Sequence, residues 1–436
     1  QHPQVVCTAV SHDGIRWERP ELGLFEFGGN KRNNIVWDGV GSHNFTPFKD
    51  TNPSAAPEAR YKAWGSGGNP AYRGPPNMPG ARGLYAFQSE DGVVWQQISE
   101  RPVFTDGRFD SQNVCFWDSA SKCYRCYYRN WVLQEEATGL SVTETAQAAG
   151  SARRRDILGA TSEDFVHWST SSFIDYLRGK PDELYTSGIL PYFRAPHILL
   201  GFPTRYVERS WADAIEDLPD RDDRLFRKTV LPRLGHALTD GMLMSSRDGA
   251  LFDLWHESWI RPGLRPTGSW YYGDMYTAWG MLQTPSAIAG APHELSFYVS
   301  ENYWRGGTGD SRRGTSMDVR RYTLRMDGFV SLHAPASGGE MVTKPMSFSG
   351  DELTLNFSAS AGGSLKVEIL HDQEDLPVPG HSLADCREIL GDDLERRVVW
   401  NGSSRIGALA EQPLRLRFVM RDADLYSFRF RNSRGE

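Results

Sequence analysis

No apolar run in this chain approaches the roughly 18 residues that a membrane-crossing helix needs, so no helical span is expected. Cysteine is scarce and odd in number. The five residues Cys7, Cys115, Cys123, Cys126 and Cys386 stand at spacings that make no disulfide framework. Cys123 and Cys126 form a C-x-x-C, but the segment reads as a strand and no second pair completes a zinc site. A basic excess is missing too. The 48 Lys and Arg face 55 Asp and Glu, a net charge of -7, which argues against nucleic acid because phosphate binding needs a basic face. The densest basic run, Arg153-Arg154-Arg155, reads as a solvated loop. Long stretches of 3.6-residue periodicity are absent as well, which removes a helical architecture.

What is present is aromatic and turn-rich. Fourteen Trp supply flat rings for packing or for stacking on a ligand, and 43 Gly with 25 Pro suit many turns. A phrase recurs: SHDGIRW at Asp13 and Gly14, SEDGVVW at Asp91 and Gly92, SEDFVHW at Asp164 and Phe165, and SSRDGALFDLW at Asp248 and Gly249. LRMDGFVSL, at Asp327 and Gly328, is a weaker fifth. The aspartates lie 78, 73, 84 and 79 positions apart, and self-similarity at a near-fixed spacing signals a repeat architecture.

Each phrase follows an apolar strand (VVCTAV, GLYAFQ, RDILGAT, GMLMSS, RRYTLR) and reads as a hairpin turn in which Gly takes positive φ and Asp bonds the local backbone. Earlier strands precede it in the later units: HNFTPFKD and YKAWGSG in the second, QNVCFWD and YRCYYRNW in the third, APHILLGFPTRY without a clear hairpin in the fourth, and YTAWGMLQTP with ELSFYVSENYW in the fifth. Four antiparallel strands per unit, arranged radially, are propeller blades. The expected fold is all-β, a five-bladed β-propeller over residues 1–332 followed by a C-terminal β-sandwich over 333–436. The first blade keeps only its outer two strands. Residues 134–150 read as a long loop of blade three.

The propeller sorts the polar residues. Turns between strands three and four lie on one face, so Asp13, Asp91, Asp164, Asp248 and Asp327 are structural. Asp50, in FKDTNP, and Asp118 occupy the turn after strand one on that same face. The opposite, axial face receives the starts of strands one and three and the ends of strand two. Asp110 precedes strand one of blade three, with Asn113 just after it. His43 and Asn44 hold the matching place in blade two. Arg194 and His197 are expected to enter from blade four and Asp274 from blade five. Strand-two ends add Arg129, Arg205 and Glu301, and the start of strand three in blade four adds Asp240. Glycosidic cleavage needs one carboxyl as proton donor and another as nucleophile or base, so Asp110, Asp240 and Glu301 are the catalytic candidates. The remaining polar residues are substrate-binding candidates, and Trp131, Tyr272 and Trp304 are candidate sugar platforms. No cofactor or metal site is expected; a structural cation near the axis is compatible with the carboxylates, although no loop has calcium-site spacing.

Five blades followed by a sandwich resemble the invertase-like and arabinanase-like glycoside hydrolases. The phrases SHDGIRWERPELGLFEF, NNIVW, NFTPFKDTNP, FDSQNV, YFRAPHILLGFPTRY, LTDGMLMSSRDG and RLRFVMRDADLYSFRF are similar to a group of bacterial propeller proteins within that superfamily, over nearly the whole chain. The resemblance implies a carbohydrate substrate, polysaccharide degradation, secretion or a periplasmic location, and a triad of two aspartates and a glutamate, to which Asp110 corresponds by position. An Asn-Asp-Pro-Asn-Gly stretch of that superfamily has no counterpart here. S-x-D-G-x-x-W is also close to the sialidase Asp-box, whose chemistry would enlist Arg129, Arg194 and Arg205 with a tyrosine nucleophile. A carbohydrate-binding propeller without catalysis is the remaining alternative.

Overall fold

The opening pair is β1 (Val5–Cys7) against β2 (Ile35–Asp38). Blade two runs β3 (His43–Lys49), β4 (Tyr61–Gly67), β5 (Gly83–Ser89) and β6 (Gln96–Gln97), each antiparallel to the next. Blade three repeats the meander with β7 (Val114–Asp118), β8 (Cys123–Leu133), β9 (Arg153–Ser162) and β10 (Ser172–Phe173). These strands come from a computed structural model that describes residues 4–68, 81–133, 153–179, 183–207, 213–218, 221–230, 237–263, 275–301 and 318–433.

Blade four is more elaborate. After β11 (Asp175–Tyr176) and β12 (Glu183–Leu184), its inner strand is β13 (Leu190–Tyr192). The second strand is made of β14 (Ala195–Gly201) and β15 (Thr204–Val207), which pair in succession along the third, β16 (Leu238–Ser246). The outer strand is β17 (Leu251–Ile260), and β11 adds to it in parallel. A helix, α1 (Arg221–Val230), lies between β15 and β16 in the chain. In blade five, β18 (Tyr276–Thr277) and β19 (Leu282–Thr284) both pair β20 (Glu294–Glu301), and β21 (Asp318–Arg325) pairs β20 in turn. Successive antiparallel sheets of this kind are propeller blades.

Two expectations change. APHILLG is the second strand of blade four, because the inner position is taken by Leu190–Tyr192, whose Leu-Pro-Tyr parallels Thr46-Pro47-Phe48 of blade two. In blade one, Val5–Cys7 pairs the NNIVW segment at Ile35–Asp38, and Trp17's side of the hairpin is reduced to a single bridge between Val10 and Glu18.

The recurring phrase has one hydrogen-bond pattern in four copies. Asp91 Oδ1 accepts the backbone N–H groups of Val93 and Val94 at 2.8 and 2.9 Å, while Ser89 Oγ accepts that of Gly92 at 2.9 Å. Ser11 with Asp13, Ser162 with Asp164, and Ser246 with Asp248 do the same. The turn needs a left-handed residue, and Gly14, Gly92 and Gly249 supply φ of 72°, 77° and 76°. Phe165 adopts 70° in the third copy. It does so because its ring is fully buried among Phe48, Trp64, Tyr124 and Trp168, filling the core between blades two and three. The fifth phrase differs. Arg325 stands where the serine would be, Asp327 itself takes φ 56°, and its carboxylate accepts from Ser427 at 2.7 Å. The first phrase joins the last blade: Trp17 packs edge-on against Tyr298 at 5.5 Å, and the Tyr298 hydroxyl donates to Gly14 O.

The chain divides into two units, Gln1–Met281 with Phe297–Tyr322, and Leu282–Ser296 with Thr323–Glu436. In the second, β22 (Leu332–Ala334), β23 (Gly339–Val342), β24 (Glu352–His371), β25 (Asp392–Arg397) and β26 (Leu414–Arg431) form a continuous antiparallel ladder. The register of β24 against β26 breaks between Ala359 and Ser364. Leu353, Leu355 and Phe357 before the break, and Leu365, Val367 and Ile369 after it, all enter one core. The ladder therefore folds over on itself as a sandwich. Gly363 sits at the fold, where a Cβ would come within 2.2 Å of Asp422 O, and Asp422 opposite takes φ 43°.

Candidate functional site

Strand direction decides what meets at the axial ends. In blade three, β8 extends past the start of β7, so Arg129 reaches back to Asp110; Arg129 pairs Ile157 near the start of β9, far from the Asp164 turn. Arg205 and Asp240 pair at the corresponding end of blade four, and Glu301 ends β20 beside Ser300, the partner of Tyr276.

Around Asp110 four other candidates gather. Arg129 Nη2 donates to Asp110 Oδ1, and Arg129 Nε donates to Ser111 Oγ at 3.4 Å. The Arg129 side chain is 4% exposed and that of Asp110 40%, so the carboxylate is the part of the pair that faces outward. Burial pushes the Arg129 guanidinium down against the opposing pull of Asp110, but guanidinium remains charged. Asn113, fully buried, donates to Ser111 O at 2.9 Å and Phe109 O at 3.4 Å; Asn44 also donates to Phe109 O at 3.4 Å. His43 Nδ1 meets Gln4 Oε1 and its Nε2 meets the Asn44 amide, each at 3.1 Å. Desolvation lowers the His43 pKa below its ordinary value, while the Asp110 charge and backbone act to raise it.

A backbone device recurs here. Asn44, Gly188 and Met275, each at the start of an inner strand, have φ of 50°, 55° and 59°. A left-handed residue kinks the strand and re-aims the side chain before it, which in blade two is His43. Asn and Gly tolerate this conformation readily; Met275 does so while buried in the core.

A second cluster is one the sequence does not announce. Arg155, expected in a solvated loop, lies in β9 at 4% exposure. Its guanidinium is 4.7 Å from the Trp131 ring centroid and 4.5 Å from Tyr206, and its Nη1 donates to Glu183. Arg129 stands 5.3 Å from Trp131 and 5.1 Å from Tyr185. Two buried guanidinium groups thus share the ring of Trp131, a cation–π arrangement favoured by desolvation. The signal that could have found Arg155 is strand alternation counted back from the apolar run Ile157-Leu158.

The other carboxylates are saturated. Asp240 accepts Arg205 Nε at 2.9 Å on Oδ1 and Nη2 at 2.6 Å on Oδ2, and Ser258 Oγ also donates to Oδ2. Arg205 alternates with Tyr206 along β15, so this pair faces away from the Arg155 side of the sheet. Glu301 takes Arg320 Nε on both oxygens at 2.9 and 3.0 Å and the Tyr322 hydroxyl at 2.6 Å. Desolvation and that hydrogen bond hold the Tyr322 hydroxyl up at about 12, so it stays a donor.

Arg194 and His197 are not with this group. Arg194 lies in the β13–β14 turn, and Leu199 already pairs Ser246 of the Asp248 turn, so both residues sit at the far end of blade four, about 30 Å along the strand from Arg205. Asp274, Tyr272 and Trp304 lie outside the described residues, as does the 134–150 segment. Asp50, on the far face, is fully buried under Lys62 Nζ and the Tyr124 hydroxyl. Among the described residues no three His, Cys, Asp or Glu side chains gather as a metal site. Cys123 and Cys126 point to opposite faces of β8, one half-buried and the other buried, as an odd offset on a strand requires.

The fold and this axial cluster define an all-β protein, a five-bladed propeller followed by a β-sandwich, with polar groups assembled at the blade ends opposite the Asp turns. No family model and no curated protein matches the chain. Among solved structures, it is similar to an N-acetylgalactosamine deacetylase from F. plautii in complex with blood group B trisaccharide, at 14% identity and TM-score 0.38, over 67% of this chain and 70% of that one. A structure described as a glycoside hydrolase gives 12% identity and TM-score 0.41, over 72% and 76%. Sucrose-6-phosphate hydrolase from Lactobacillus gasseri gives 9% and 0.35, over 96% and 83%. At these values the likenesses carry no argument about chemistry.

Proposed function

We propose that the chain is a glycoside hydrolase acting outside the cytoplasm on an oligo- or polysaccharide, with Asp110 as its nucleophile or base. The observation that carries this reading is the Asp110–Arg129 pair. A buried guanidinium fixes one carboxylate oxygen while the carboxylate stays open to a ligand. An oriented anion beside the sugar ring stabilises an oxocarbenium-like transition state or attacks it. Neutral His43, with Asn44 and Gln4, supplies hydrogen-bonding groups suited to sugar hydroxyls, and the sequence resemblance supplies the substrate class. Asp240 and Glu301 are the candidates for the second carboxyl.

A second reading, a carbohydrate-binding propeller without turnover, is favoured by one observation: both oxygens of Asp240 and of Glu301 are engaged by arginine. A reducing-end and chromatographic screen over plant, algal and bacterial glycans separates the two. Product from the wild type that is lost in Asp110→Asn supports the hydrolase. Saturable binding without product, unchanged in Asp240→Asn and Glu301→Gln, supports the binding protein.

A further inference from the structure

Cys115 on β7 and Cys126 on β8 are direct cross-strand partners. Both are buried, both thiols are free, and both side chains enter the same core cluster with Phe48, Trp64 and Leu158. Opposed residues of an antiparallel pair have Cα atoms about 4.5–5.5 Å apart, within the roughly 4.4–6.8 Å that a disulfide spans. Their Cβ atoms, about 4.5–5.5 Å apart in such pairs, need to close by at most about 1 Å. Cys123 faces the other side of β8 and pairs Asp118, so it does not compete for this partner.

We infer that Cys115 and Cys126 form a cross-strand disulfide when the chain folds in an oxidising compartment, stapling the two strands whose axial ends carry Asp110 and Arg129. Cys115 follows Asp110 by five positions and Cys126 precedes Arg129 by three, so the staple joins β7 and β8 about 10 Å along the strand from Arg129 and on the opposite face of the sheet. The chemistry is thiol–disulfide exchange. One thiolate attacks a disulfide of glutathione, releasing one glutathione thiol, and the second cysteine thiolate displaces the other. The two protein thiols lose two protons and two electrons, and oxidised glutathione is reduced to two molecules of its thiol. In the finished fold, burial pushes the Cys115 thiol well up, with the neighbouring Cys126 adding to it, and pushes Cys126 up as well. The attacking thiolate is therefore scarce once the blades have closed, and the bond is made during folding.

The test is independent of any glycan activity. The full chain is refolded with a reduced and oxidised glutathione mixture poised as in a secretory compartment, then denatured, alkylated and weighed intact and as peptides. The expected result is a mass lower by about two hydrogens, with one linked peptide pair joining Cys115 to Cys126. Reductant then lowers the melting midpoint of the wild type by roughly 5 °C, and Cys126→Ala shows no such dependence. Alkylation of both Cys115 and Cys126, or a link between any other pair, overturns the inference. Because the mass is read on the wild type, the test stands even where a cysteine variant fails to fold.

Discussion

Arg205 and Asp240 face each other across adjacent strands in a two-pronged ion pair, Nε to Oδ1 at 2.9 Å and Nη2 to Oδ2 at 2.6 Å. With Asp240 5% exposed and Arg205 19%, the fork is nearly dry. Removing one partner leaves the other charge uncompensated, which costs about 3–5 kcal/mol in buried pairs. Asp240→Ala is expected to lose that much stability in denaturant unfolding, and Arg205→Met combined with Asp240→Leu to recover most of it. Equal losses in the single and double variants would show that the pair is not coupled.

Asp110 behaves differently because its carboxylate is open. Asp110→Asn keeps an amide oxygen for Arg129, so the expected loss of stability is about 1 kcal/mol, within the range for one weakened charged hydrogen bond. Turnover on any substrate found in the glycan screen is expected to fall at least about 10²-fold, the usual contribution of a positioned acid–base group. A turnover loss no larger than the fraction unfolded would assign Asp110 to structure alone.

His43 gives a pH signature. Its folded pKa lies below the ordinary 6.5, chiefly through desolvation. The unfolded chain therefore binds the proton more readily, so the contribution of this residue is fully present above about pH 6.5 and is lost as pH falls below it. Asp110 opposes the shift, so Asp110→Asn is expected to lower the His43 pKa further. An NMR titration of the imidazole reads both, and an upward move in Asp110→Asn would contradict the assigned contact.

Phe165 occupies a glycine's place in the repeated turn. Phe165→Gly satisfies the backbone at φ 70° yet removes a ring that is fully buried, so a net loss of about 3–5 kcal/mol is expected, measured by chemical denaturation. A stabilised variant would mean that left-handed strain outweighs the packing of that ring.

The blades are readable in the sequence because each Asp phrase marks a turn whose hydrogen bonds are local, and local bonds leave a local signature. Blade four misleads for the opposite reason. Its inner strand, Leu190–Tyr192, is short and lacks the Phe-x-Asp ending of FWD and FKD, so the longer apolar APHILLG stands out as the inner strand in the sequence and carries Arg194 and His197 to the wrong end. The Asp110 cluster is legible as a place, since Asp110, Asn113, His43 and Asn44 all stand at strand starts. Their partners are not, because Arg129–Asp110 joins residues 19 positions apart through strand pairing within a blade and Arg155–Glu183 joins residues 28 apart across two blades, neither of which composition encodes. The tri-arginine run misleads because a run of charges resembles solvent-facing chain until strand alternation turns one of them inward.

The bond from Tyr298 to Gly14 spans 284 positions. During synthesis at about 5–20 residues per second, Gly14 emerges roughly 15–60 s before its partner exists. Blades two to four can form meanwhile, each from neighbours already made, but the first hairpin has nothing to lock onto. Over that interval the Gly14 hairpin waits without its partner, open to a protease or a chaperone, while the blades after it are completed.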